Sequence, residues 1–117
     1  MAIFVKLPSG KWIKIKGVMT QVLVSKGRRS VRYVLTGESL NQPPELKSRY
    51  RSVSIPSTRV NKVLQILAND YVKEGKGDIV VEPLGREEYV AKCTGEACND
   101  LIKAIKQLDK TYTTTSG

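Results

Sequence analysis

Histidine is absent from the 117-residue sequence, and tryptophan and phenylalanine occur once each. The lack of histidine removes the commonest general base, although it does not exclude catalysis by other residues. The sequence also lacks a P-loop and a GxGxxG motif, and no nucleophile has a recognisable base beside it. We therefore expect a protein that is not an enzyme, with no catalytic residues, no cofactor and no evident small-molecule substrate.

Soft metal ligands are scarce as well. The two cysteines, Cys93 and Cys98, have C-x4-C spacing with no other soft ligand nearby. A structural zinc site usually needs four ligands, so the sequence predicts no metal site. We interpret the pair as core thiols, and a disulfide is the alternative, mainly for a hyperthermophilic source.

Long apolar runs are missing. No stretch approaches the roughly 20 apolar residues needed to span a bilayer. The chain turns at Pro8-Ser9-Gly10 after a short start, which is unlike a signal peptide. These absences predict a cytoplasmic protein without membrane contact. The length fits one domain, residues 1–110, followed by a flexible polar tail, 111–117.

Negative charge is rare in the first half of the chain. Residues 1–59 carry 12 Lys+Arg and 2 Asp+Glu, whereas residues 60–117 carry 8 and 9. The whole excess of +9 therefore belongs to the N-terminal half, where it attracts polyanions. The charge favours nucleic-acid binding over the alternative of a soluble protein that happens to be basic.

The hydrophobic pattern predicts an α+β fold. Period-2 alternation indicates four strands at about 3–7, 12–16, 21–25 and 30–36. An irregular basic loop, 37–49, follows and leads to a short extended piece ending at Ile55. Helical spacing, two further strands and a second helix complete the order ββββ–basic loop–α–ββ–α. We expect an antiparallel sheet with two helices packed on one face.

Three basic clusters are candidate nucleic-acid contacts. The first is the strand face opposite the predicted core, where aromatic rings and lysines alternate around Phe4. The second is the hairpin tip, and the third is the basic loop with the helix start, where arginines pair well with phosphate. The candidate residues are Lys6, Lys11, Trp12, Lys14, Lys16, Lys26, Arg28, Arg29, Arg32, Lys47, Arg49, Arg51 and Arg59.

Each cluster has a structural alternative. The lysines can simply solvate a strand face, and Trp12 can fold back over the sheet edge. The hairpin tip can be a solvated turn, and the basic loop a disordered surface segment. Four acidic residues, Asp70, Glu74, Asp78 and Glu82, are close in sequence but straddle a helix end, a turn and a strand, which favours solvated surface over a metal site.

The opening Ala2-Ile3-Phe4-Val5-Lys6-Leu7-Pro8-Ser9-Gly10-Lys11-Trp12 resembles the start of small archaeal ribosome-associated proteins. This resemblance covers mainly residues 2–17. It implies RNA binding by a lysine-rich hairpin and an arginine-rich loop. The order of four strands and a helix is also similar to that of single-stranded-DNA-binding transcription cofactors, although element order does not fix function.

Our first hypothesis is a non-catalytic RNA-binding protein, ribosomal or ribosome-associated. Its partners would be rRNA, contacted through phosphates by the basic half, and neighbouring ribosomal proteins. The alternatives are a DNA-binding protein of single-stranded or chromatin type, a protein–protein adaptor with an acidic partner, and a metal-dependent nuclease.

Overall fold

Six strands form one mixed sheet, and two helices lie on one of its faces. The computed structural model describes residues 1–115, with side chains described to Lys110. The elements are β1 (Ala2–Lys6), β2 (Trp12–Ser25), β3 (Arg28–Leu40), β4 (Arg51–Pro56), α1 (Ser57–Asp70), β5 (Asp78–Leu84), β6 (Glu88–Cys93) and α2 (Glu96–Thr115). The α+β prediction is confirmed. The tail predicted for 111–117 falls partly outside the described residues.

The strand order is β3-β2-β1-β5-β6-β4, and the predicted antiparallel sheet is only partly correct. Four of the five neighbouring pairs are antiparallel, but β1 and β5 run parallel at the centre. Alternation along one strand shows which residues face the core. It does not show the direction of a neighbour more than 70 residues away in the chain, so this pairing was not predictable from the pattern.

The predicted second and third strands are one long strand. The expected break at Gly17 is a register shift between Ile15 and Gly17 within β2, and the strand continues through it. Its partner β3 extends to Leu40, beyond the predicted end. Position 37 lies inside β3 and requires glycine, because a Cβ there would lie only 2.5 Å from the carbonyl oxygen of Lys14. The glycine that suggested a loop therefore permits close strand approach.

Helix α1 begins at Ser57 without a side-chain cap. Ser57 and Thr58 are of residue types that favour an N-cap, but Pro56 holds the cap position and no side-chain hydrogen bond caps the helix. Before α2, the Thr94 hydroxyl accepts a hydrogen bond of 2.9 Å from the Asp78 amide. Thr94 thus ties the start of β5 to the end of β6.

The core lies between the sheet and the two helices. Its fully buried side chains come from strands and helices alike: Ile3, Val63, Leu67, Ile79, Val81, Cys93 and Leu101. Alternation in β1 and β2 predicts that one strand face, with Ile3, Val5, Leu7, Ile13 and Ile15, turns toward the helices. Ile3, Val5 and Ile15 are buried there, and Leu7 and Ile13 are partly buried. The opposite face of the sheet, called the open face below, carries no helix.

Cys93 and Cys98 form a disulfide that joins the end of β6 to the first turn of α2. Both residues are buried against the core, so the structure supports the alternative to free core thiols. The short link fixes the angle at which α2 leaves the sheet. Among the described residues, no helix is long and apolar enough to cross a bilayer.

We expect Leu67→Ala to lower the free energy of unfolding by about 2–5 kcal/mol, because Leu67 is 0% exposed and truncation leaves a cavity. Leu84 is 58% exposed, so Leu84→Ala is the matched control and should change it by less than about 0.5 kcal/mol. Urea denaturation measures both. An equal loss of unfolding free energy in the two variants would contradict the assignment of Leu67 to the core.

Candidate nucleic-acid interface

The outer part of the β2–β3 hairpin, residues 19–34, is called the arm below. Its base lines a pocket with both helices through Thr20 and Tyr33, and the rest projects beyond them. Its side chains are mostly exposed, and the molecule is elongated, with extents of 50 × 36 × 31 Å. Lys26 and Gly27 form a two-residue turn with φ of 52° and 75°. Such turns match the twist of the flanking strands, so the arm continues as a regular two-stranded ribbon to its tip.

The arm tip concentrates positive charge. Lys26, Arg28, Arg29 and Arg32 are all exposed, as the predicted hairpin cluster requires. Arg28 pairs with Ser25 and Arg32 with Gln21, which places both arginines on one face of the ribbon, while Arg29 lies on the other. Residues 1–37 contain eight Lys+Arg and no Asp or Glu, so the sequence places no carboxylate on the arm.

The arm also exposes apolar side chains. Val22 lies opposite Val31, and Tyr33 follows on the same face, which is the face toward the helices. Val22, Val31 and Tyr33 are each more than half exposed, at 51%, 57% and 57%. An apolar stripe on a two-stranded ribbon is unusual for a surface that faces only water and favours an interaction role.

Pairing of β1 with β2 confirms the predicted alternation on the open face. Phe4 lies opposite Lys14, and Lys6 opposite Trp12, whereas Val5 and Ile13 pair on the core side. An uncovered strand face would leave these side chains fully exposed. Instead, Phe4, Lys6, Trp12 and Lys14 are partly buried.

Residues 41–50, called the crossing segment below, lie close to Trp12 on this face. They join β3 to β4, which lie at opposite edges of the sheet. Five strand spacings amount to about 24 Å, and ten extended residues reach about 33 Å. The segment must therefore run nearly straight across a face, and Pro43 and Pro44 favour that conformation. The helices occupy one face, so the segment crosses the open one.

A groove of about 430 Å³ lies between the crossing segment and the open face. The sheet supplies Trp12, Val80, Glu82 and Lys92, and the crossing segment supplies Pro44 and Tyr50 among others. Val80 is buried and forms an apolar floor. The groove therefore combines an apolar base, two aromatic residues and a pair of opposite charges.

The charged pair in the groove has fixed partners. Lys92 Nζ lies 3.4 Å from Glu82 Oε1, and both side chains are about one-third exposed, at 32% and 30%. The same ammonium lies 5.4 Å from the centroid of the Tyr50 ring, within cation–π range. These contacts hold a hydrogen-bond donor and an acceptor side by side at the groove wall.

The remaining candidates are more dispersed. Lys11 is exposed in the β1–β2 turn, Lys47 and Arg49 are exposed in the crossing segment, and Arg51 is exposed at the start of the edge strand β4. Lys16 is exposed and pairs with Glu38 at 3.3 Å. Arg59 differs from the others because it lies on α1 and forms an ion pair with Asp109 of α2.

Of the groove residues, sequence reasoning named only Trp12 as a binding candidate; it considered Glu82 only as part of an acidic cluster and gave Tyr50, Val80 and Lys92 no binding role. Alternation in β5 and β6 gave a signal, since Val80 and Lys92 are directly paired and Glu82 follows two residues after Val80. Using that signal required knowing that β5 lies beside β1, which places Val80 next to Phe4.

Within the described part of the chain, no group of three or more His, Cys, Asp or Glu side chains is arranged to hold a metal ion. The acidic cluster considered from the sequence is not brought together, and Glu82 pairs with Lys92 instead. No protein-family model, curated protein or solved structure matches this chain. The function is therefore argued from the arm, the open face and the groove.

We expect Trp12→Ala to lower the free energy of unfolding by about 1–3 kcal/mol, because Trp12 is partly buried beneath the crossing segment. Tyr33→Ala is the aromatic control, since Tyr33 is 57% exposed on the arm. Thermal and urea melts compare the two. A Trp12 variant as stable as the wild type would show that the tryptophan does not pack against this segment.

Proposed function

We propose that this protein is a non-catalytic RNA-binding protein that contacts phosphates of structured RNA, rRNA being the first candidate, within or beside a ribosomal assembly. The arm tip carries the proposal, because four exposed cations lie at the end of a projecting ribbon that has no carboxylate. Phosphate contacts by exposed Lys and Arg supply most of the affinity in such complexes.

The groove favours RNA among the possible polyanions. Proteins that read RNA usually target loops and bulges, whose unstacked bases lie against aromatic side chains. Trp12 and Tyr50 line the groove together with Lys92, Glu82 and Glu45, and Lys6 lies opposite Trp12 beside it. The groove thus supplies base contacts while the arm supplies phosphate contacts.

DNA is the second candidate, and the shape of the arm is the observation that favours it. The major groove of B-DNA admits a two-stranded β-ribbon, and the arm is such a ribbon. Competition between a structured RNA containing internal loops and a DNA duplex of equal charge separates the candidates. The proposal requires that the RNA displaces the DNA at lower concentration.

We expect affinity for RNA to fall as salt increases. If about five cations of the arm and the open face meet phosphates, log affinity against log salt has a slope of roughly −3.5 to −4.5. Binding titrations at several salt concentrations measure it. A flat line would exclude binding driven by phosphate contacts, and retention of a protein partner after nuclease treatment would indicate the adaptor alternative.

We expect the triple change Arg28→Ala, Arg29→Ala and Arg32→Ala to weaken RNA binding and reduce the salt slope by up to about three units. Stability should change little, because exposed charges contribute little to folding. Binding titrations measure the RNA affinity and the salt slope, and thermal melts measure the stability.

The matched control removes three exposed cations from the other half of the chain, Arg86, Lys103 and Lys106. This variant has the same net charge as the arm variant. Equal loss of RNA affinity in the two would show that binding depends on net charge alone and would contradict a role for the arm.

A further inference from the structure

We propose that the groove beneath the crossing segment is a specific site for one unpaired nucleobase and that its charged pair selects guanine. This inference deepens the proposed function and rests on RNA being the ligand. The arm and the lysines of the open face act on phosphates, which carry no sequence information. The groove is where this protein can distinguish one base from another.

The shape and lining of the groove suit a flat heterocycle. Val80 is a buried residue of the lining, and two aromatic side chains line the groove, Trp12 from the sheet and Tyr50 from the crossing segment. Unpaired bases stack on aromatic side chains, which contributes about 1–3 kcal/mol per base. A volume of about 430 Å³ holds one base with space for its ribose to leave through the open mouth.

The polar wall matches the Watson–Crick edge of guanine. That edge carries an acceptor, O6, beside two donors, N1–H and the N2 amino group. Lys92 donates hydrogen bonds, and the ionised carboxylate of Glu82 accepts two. Their charged groups lie side by side at 3.4 Å, so the ammonium meets O6 while the carboxylate meets N1–H and N2–H. Adenine and cytosine lack the N1–H/N2–H donor pair, and uracil offers one N–H.

The charged residues that line the groove are Glu45, Glu82 and Lys92, and the cations that favour a nucleotide over an apolar peptide lie beside the groove. Lys6 and Lys14 lie on the same face beside Trp12 and Phe4, and no ion pair to either is found among the described residues. Phosphates on either side of a bound base therefore have cations within the same surface. A proline-rich peptide would use the aromatic residues but would leave these cations without counter-charges.

The test uses the fluorescence of Trp12, the single tryptophan of the chain. The full-length protein is titrated with a short oligouridylate that carries one central guanosine. The same oligomer with inosine, which lacks the N2 amino group, or with adenosine gives the comparison. We expect quenching or a spectral shift with guanosine, and an affinity about 5- to 150-fold above that for adenosine, with inosine between them.

Two pairs of variants separate base reading from general effects. Glu82→Gln should abolish the preference for guanosine, whereas Glu38→Gln, an acid-to-amide change on the same face outside the groove, should retain it. Tyr50→Ala should weaken binding of every base, and Tyr50→Phe, which keeps the ring, should restore it. Thermal melts establish that each variant is folded.

The outcomes also distinguish this inference from the proposed function. Salt-dependent binding of all the oligomers without guanosine preference would overturn the base site and leave the RNA-binding proposal standing. The absence of binding to any RNA would overturn both. Quenching of Trp12 by a proline-rich peptide but not by RNA would make the groove a peptide site and overturn the inference. In the arm variant lacking Arg28, Arg29 and Arg32, the guanosine-to-adenosine ratio should persist despite weaker binding.

Discussion

The parallel pairing of β1 with β5 is the interaction on which the rest of the architecture depends. It joins the N-terminal hairpin to the β5–β6 hairpin and so makes one six-stranded sheet from two local units. Once β1 occupies the centre, β3 lies at one edge and β4 at the other. The chain between them must then cross a face of the sheet, and this crossing creates the groove over Val80. A long-range contact thus determines a local binding surface.

The arm is stabilised by fewer contacts than the rest of the sheet. Near the core, β2 is held by both β1 and β3, and α1 covers its inner face. Farther out only β3 remains as a partner, and an isolated two-stranded ribbon is marginally stable in water. The positive-φ turn at Lys26 and Gly27 and the cross-strand pair of Val22 with Val31 stabilise it locally. The arm therefore carries its exposed cations on a ribbon that has no core of its own.

The surface divides its chemistry between two regions. The arm provides exposed cations whose side chains have no fixed partner within the part of the chain that the structure describes. The groove instead provides a hydrogen-bond donor and an acceptor held side by side, next to two aromatic residues. Under the proposed function, long-range attraction would bring a polyanion to the surface, and short-range contacts would select among its bases. The near-neutral half of the chain contributes the helices, the disulfide and most of the buried core. This core fixes the position of the sheet from which the arm extends and on which the groove lies.

The sequence alone determined the local properties of this protein. Alternation assigned Ile3, Val5 and Ile15 to the core and Trp12 and Lys14 to the opposite face, because side chains in a strand point alternately to its two sides. Charge counts located the basic half, and turn residues located the arm tip. These inferences succeeded because each depends on neighbours within a few residues.

Only the tertiary structure decided what lies next to what. The sequence could not show that β1 pairs with β5 in parallel, that residues 41–50 cross the open face, or that Lys92 meets both Tyr50 and Glu82. Nor could it show that Arg59 forms an ion pair with Asp109 or that the Asp78 amide donates a hydrogen bond to the Thr94 hydroxyl. Each of these depends on the free energy of contacts between distant segments, which no local pattern encodes.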